Sequence, residues 1–238
     1  MRWPESGTGA GVRVAVIDSG VQPQHSHIGA DRILPGAAIF ADGTVRLGED
    51  VTLDRLGHGT AVTAAIQEKA SDVEILPIRV FHEALKTSAR ALAVAIGYSL
   101  DLGADVINLS LGTANSAHCA LFADLVARAK EQGVLIVAAR EADGRPCWPG
   151  ALDGVLGVGL DWDVPRDIWR VEGGVFYASG YPRPIPGVAQ RHNLYGISFA
   201  TAQASGFAAR TVGRLRAEGG DERDLLSALL QPPTAFPA

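Results

Sequence analysis

A chain of 238 residues is long enough to bury one sizeable core, and residues 1–238 read as a single domain. Hydrophobic residues make up 47% and charged residues 20%, with 28 Gly and 13 Pro, an ordinary globular balance. The formal net charge of -5 offers no cationic footprint for nucleic acid, and no apolar run reaches the length of a membrane span.

In chain order, residues 12–17 form a short apolar, β-branched run ending at Asp18-Ser19-Gly20, which reads as a buried parallel strand and a turn. Residues 74–80 form a second such run. Residues 88–102 have helical periodicity and stop at Gly103, and 106–109 read as a strand. A helix over 117–132 ends at Gly133, followed by strands over 134–139 and 155–160. A long helix over 198–216 begins small and apolar, a short one is expected over 221–230, and Pro232, Pro233 and Pro237 make 231–238 an extended tail. Strands alternating with helices imply an α/β fold: one mostly parallel sheet with helices on both faces. Ligands in such sheets bind beyond the carboxyl ends of the strands. Asp18, the Ser110-Leu111-Gly112 stretch and residues 140–150 all follow strand ends, so three ends converge on one cleft.

Three stretches carry candidate chemistry. VRVAVIDSG holds Asp18, GHGTAVTAAI holds His58, and YGISFATAQASG holds Ser198. An acid, a base and a hydroxyl are the parts of a Ser-His-Asp hydrolase. Each has a plainer reading when taken alone. Asp18 could be a turn residue or cap, His58 a structural histidine at a helix start, and Ser198 an N-cap. Ser198 also stands where free backbone N–H groups at a helix start could face a developing oxyanion.

Taken together, the stretches resemble the subtilisin family across nearly the whole chain. The family's strand-Asp-[Ser/Thr]-Gly and nearby His appear as VAVIDSGVQPQH, with Asp18 and His25. Its Gly-His-Gly-Thr is GHGT, and its Gly-Thr-Ser-Met-Ala is Gly196-Ile197-Ser198-Phe199-Ala200. VINLSLG matches the strand and edge that pair with bound peptide. The order Asp, His, Ser is also the family's. The resemblance implies a serine endopeptidase without a cofactor. Ser198 attacks the scissile carbonyl, His58 moves the proton, and Asp18 orients the imidazole. Ser110, Leu111 and Gly112 offer backbone groups to a polypeptide substrate bound as an extended strand.

The chain departs from the family pattern in several places. Where the family has Ala-Ala-Gly-Asn, with the Asn donating to the oxyanion, this chain has VAAREADG. Arg140 falls at the Gly and Glu141 at the Asn. Losing that donor typically costs about 10² to 10³ in turnover. Three readings stay open: Glu141 is protonated and donates; the loop is re-registered so that Asn193 or the Arg140 guanidinium serves; or the chain is a slow enzyme or an inactive peptide binder. Thr201-Ala202-Gln203 replaces the family's Ser-Pro-His. The family's calcium-binding loop is missing, because IQEKASDVEIL runs almost directly from helix to strand, so no calcium is expected there. Cys119 and Cys147, the two cysteines, read as reduced thiols, and with His118 they lack the spacing of a metal site. MRWPESGTGAG has no apolar export core, and the first strand begins near Val12. The expectation is cytoplasmic residence without a pro-domain. Such compactness suggests a dedicated processing protease, similar to the leader peptidases that mature modified peptides, among them the one acting on the γ-subunit of quinohemoprotein amine dehydrogenase. A general degradative protease is the alternative.

Overall fold

The computed structural model describes residues 7–142, 144–220 and 225–231. At its centre is β1 (Arg13–Asp18), which pairs in parallel with β4 (Glu74–Arg79) on one side and β5 (Val106–Leu109) on the other. Beyond β5 lie β6 (Leu135–Ala139), β9 (Leu156–Leu160) and β11 (Val175–Ala178), all parallel. Beyond β4 lies β2 (Ala37–Ile39), also parallel. The two edges turn antiparallel, through β3 (Val45–Arg46) on β2 and β10 (Arg170–Glu172) on β11. The result is one nine-stranded, mostly parallel sheet. A two-stranded hairpin of β7 (Glu141–Ala142) and β8 (Arg145–Pro146) stands apart from it.

The central strands are predominantly apolar because both of their faces are buried. Alternation then assigns each residue to a layer. In β1, Val14 and Val16 join one core while Ala15 and Ile17 join the other. The first core is covered by α1 (His58–Lys69), α4 (Ile197–Glu218) and α5 (Leu225–Leu229). The second is covered by α2 (Ala89–Asp101) and α3 (Cys119–Glu131). Ser88 caps α2, its Oγ accepting from the Ala91 N–H at 2.9 Å.

The strands and helices expected from sequence are present within a residue or two at most ends. The helix expected from 117 begins as a 3₁₀ turn over Ser116–His118. Of the helix expected over 221–230, Leu225–Leu229 is helical, while 221–224 and the tail residues 232–238 lie outside the described residues. Four sheet strands have no counterpart in the sequence reading: β2, β3, β10 and β11. Each has two to four residues, too few to show a period of two. The connection from α1 to β4 is short, with Ala70 capping the helix four residues before Glu74.

Candidate active site

Asp18 closes β1 and is fully buried. Its Oδ1 accepts from the Ser19 N–H at 2.7 Å and from His58 Nδ1 at 2.7 Å. His58 is the first residue of α1, so this bond depends on how closely the helix start approaches the β1 turn. Two glycines set that approach. A Cβ at Gly59 would lie 2.2 Å from the Gly20 carbonyl oxygen, and Gly20 itself has φ +101°. Side chains then fasten the contact. The Gly59 N–H donates to Ser19 Oγ at 2.8 Å, and the Gln22 N–H to Thr60 Oγ1 at 3.0 Å. Asp54 caps the helix from below. Its Oδ1 accepts from the N–H groups of Leu56 and Gly57, and its Oδ2 from the Thr60 N–H and hydroxyl. These partners use the otherwise free donors of the first turn.

Burial disfavours the charged imidazole of His58, but the Asp18 hydrogen bond and the charges of Asp18 and Asp54 outweigh it. The net effect raises the pKa above the usual 6.5. With Nδ1–H donated to the carboxylate, Nε2 is the basic nitrogen.

Ser198 stands in the first turn of α4, behind Gly196 (φ +139°), whose N–H donates to the Gly180 carbonyl at 2.8 Å. Its Oγ donates to the Ser110 carbonyl oxygen at 3.1 Å. Its neighbour Phe199 places its ring 5.7 Å from the His58 ring, which puts the hydroxyl's turn of helix beside the imidazole. A buried polar chain ties this turn to the end of β5. Ser205 Oγ donates to Asn108 Oδ1 at 2.9 Å, Asn108 Nδ2 to Ser110 Oγ at 3.0 Å, and Ser110 Oγ to the Ser198 carbonyl at 3.3 Å. Gln203 Nε2 anchors α4 to the carbonyls of Ser179 and Tyr181 at 2.8 and 3.0 Å. The sequence reading assigned no role to Asn108, Gln203, Ser205 or Asp54. The signal for the first three was available: a polar residue inside an apolar run requires a buried partner.

The Ser110-Leu111-Gly112 stretch continues β5 into the cleft. One of its sides is occupied, because Thr113 and Trp148 exchange backbone hydrogen bonds of 3.0 and 2.9 Å. A cavity of about 330 Å³ borders the stretch, with Phe81, Leu92, Leu111 and Gly112 among its walls. A second cavity, of about 440 Å³, lies beside the start of α1, walled by Gly57, Thr60 and Ala61 and by loop residues including Ile185, Asn193 and Leu194.

The residues nominated for the oxyanion are placed differently. Arg140 and Glu141 are exposed, and Glu141 opens the β7–β8 hairpin, paired with Pro146. The Arg140 carbonyl accepts from the Cys147 N–H at 2.9 Å, which closes the hairpin's base. Asn193 donates its amide to the Arg183 carbonyl at 3.4 Å and accepts from the Leu194 N–H at 2.8 Å, so its polar atoms serve its own loop. Among the described residues, no group of three or more His, Cys, Asp or Glu is arranged to hold a metal ion.

An acid, a base and a hydroxyl brought together at strand ends and helix starts of a doubly covered parallel sheet match one family. The chain belongs to the subtilase family, whose model matches residues 9–159, the stretch carrying Asp18, His58 and Ser110; Ser198 lies beyond it. Over 213 residues the chain is 30% identical to subtilisin-like protease SBT6.1 of Arabidopsis thaliana, covering 78% of this chain and 19% of that protein. The chain spans only a fifth to about half the length of several curated relatives it matches. Among solved structures, a lanthipeptide protease shares the fold, with TM-score 0.72 and 20% identity over 93% of this chain and 79% of that one. The prenylagaramide maturation protease PagA is 26% identical, with TM-score 0.67 over 92% of this chain and 82% of that one.

Proposed function

We propose that this chain is a serine endopeptidase. Ser198 attacks the scissile carbonyl. His58 takes the hydroxyl proton and returns it to the leaving amine, and Asp18 holds the imidazole in the tautomer that leaves Nε2 free. The supporting observation is the 2.7 Å bond between His58 Nδ1 and buried Asp18, made beside the turn of α4 that carries Ser198. The substrate lies extended along Ser110, Leu111 and Gly112. To react, the Ser198 hydroxyl leaves the Ser110 carbonyl and turns to His58. The Ser198 N–H, one of the unpaired donors of a helix start, serves the oxyanion, and Glu141 stays outside it.

The same reading gives the enzyme a narrow role, the removal of a leader from one polypeptide partner in the cytoplasm. The likeness to PagA, named as a maturation protease, supports it. So does Cys119, a free thiol, as a reducing compartment keeps it. The γ-subunit of quinohemoprotein amine dehydrogenase is a partner of this type. A second reading, an inactive peptide binder, draws on two observations: the Ser198 hydroxyl bonded to Ser110, and Glu141 where the family has its oxyanion Asn.

Fluorophosphonate labelling followed by intact-mass analysis decides between them. One adduct per chain, mapped to Ser198 and absent in Ser198→Ala, is the expected result; an unlabelled wild-type protein would refute the catalytic reading. Digestion of unfolded casein then separates a general protease from a dedicated one, which leaves casein intact.

A further inference from the structure

We infer that the cavity on the leaving-group side of His58 selects an acidic residue just past the scissile bond, and that Arg55 and Arg183 recognise its carboxylate. The inference rests on the reading of Ser198 as the nucleophile, which orients the substrate in the cleft. A chain lying along Ser110–Gly112 brings its scissile carbonyl to Ser198. Its continuation must pass His58, which protonates the departing amine. The hollow assigned to that continuation has a volume of about 440 Å³ and is walled by Gly57, Thr60 and Ala61, which flank His58 in sequence, and by Ile185, Asn193 and Leu194 of the loop that leads to Ser198.

The cavity is amphipathic. Leu56, Ala61, Ile185 and Leu194 give it apolar walls, while Arg55 and Arg183 bring cationic groups to it. Elsewhere in the molecule many arginines are matched by carboxylates: Arg13 by Glu74, Arg166 by Glu68, Arg170 by Asp161. These two are not. Arg55 is exposed and makes no hydrogen bond or ion pair among the described residues. Arg183 donates one nitrogen to the His27 carbonyl at 3.1 Å, which leaves most of its fork open.

The carboxylates nearby are already engaged. Asp54 lies in the cavity wall, but its oxygens accept from the N–H groups of Leu56, Gly57 and Thr60 and from the Thr60 hydroxyl. Glu68, which acts electrostatically on His27, is paired with Lys69 and Arg166. Two histidines also border the space. Burial first, then the charges of Arg183 and His25, hold His27 below its usual range, with Glu68 opposing, so His27 is neutral near pH 7. The guanidinium groups are therefore the fixed positive charges of this wall. A side chain with an aliphatic stem and a carboxylate tip matches apolar walls under a cationic rim.

The test uses a mixture of random decapeptides, with new amino termini read by mass spectrometry. Asp and Glu should be enriched about fivefold in the first two positions after the cut, the scale of a partly exposed charge pair. Arg55→Glu, a change at an exposed side chain, should remove that enrichment and favour Lys or Arg instead. Arg183→Gln should weaken it. Cleavage with no acidic enrichment, or enrichment unchanged in Arg55→Glu, would overturn the inference while leaving the protease reading intact. Should wild-type protein cut nothing, the protease reading fails, and the same mixture is passed over immobilised Ser198→Ala protein. Retention of acidic peptides that Arg55→Glu abolishes then supports the pocket, and equal retention by both refutes it.

Discussion

Two strand-end loops border the candidate site, and they are held in opposite ways. The turn after β1 is fixed by close backbone approach and by side-chain hydrogen bonds: Gly20 against Gly59, Ser19 Oγ on the Gly59 N–H, and Asp54 on the first turn of α1. The loop after β6 leaves the sheet as a separate hairpin whose residues Arg140, Glu141, Arg145 and Pro146 are all exposed. The first loop is tightly confined, because a Cβ at Gly20 would lie 2.1 Å from the Thr52 carbonyl oxygen and one at Gly59 2.2 Å from the Gly20 oxygen. The second tolerates charged residues of either sign. A site built this way keeps its acid and base under strict steric control and leaves the neighbouring loop free to vary.

The largest effect should come from breaking the constrained side at its centre. Asp18→Asn keeps the shape but offers an N–H where His58 needs an acceptor, so the imidazole adopts the wrong tautomer. Turnover should fall by about 10⁴-fold. The pH profile adds a second readout. His58 must be unprotonated to act, and Asp18 raises its pKa above the usual 6.5, so wild-type activity should rise with pH through a midpoint above 6.5. Removing the carboxylate charge lowers that pKa, and the midpoint of the residual activity should move down.

Next in size is Gly59→Ala, which places a methyl 2.2 Å from the Gly20 oxygen. The helix start must retreat, at a cost of about 1–3 kcal/mol in denaturant unfolding. Displacing His58 by this much should also lower turnover by about 10²-fold. Gly57→Ala is the control. It strains a residue with φ +80°, yet its Cβ meets nothing within 4 Å, so it should lower stability and reduce turnover by less than Gly59→Ala does.

The smallest effect belongs to the free loop. Glu141→Gln should change turnover by less than about tenfold, because an exposed hairpin residue contributes about 1 kcal/mol or less. A loss of about 10² or more would show that the hairpin closes over the substrate and that the two loops are equally engaged.

The same contrast explains what the sequence disclosed. Asp18, His58 and the flanking glycines were legible because steric necessity confines those positions to a few residue types. The central strands were legible because burial on two faces demands mostly apolar runs. The edge strands β2, β3, β10 and β11 were not, since two to four residues carry no period. For Ser205 and Asn108 the need for a buried partner was legible but not the pairing itself, since they lie 97 residues apart and meet only through tertiary packing. The hairpin at 141–146 replaces a segment whose role in the family is set by one side chain, and a pattern cannot reveal where the substituted chain turns.

The central claim is that Asp18, His58 and Ser198 act as one unit, and a kinetic cycle tests it most directly. Turnover is measured for Ser198→Ala, for His58→Ala and for the double variant, each checked for folding by its thermal midpoint. Groups that share one chemical step fail together, so the double variant should be no slower than either single one, all retaining the same residual rate. Losses that multiply in the double variant would contradict the claim, because they would show Ser198 and His58 contributing independently.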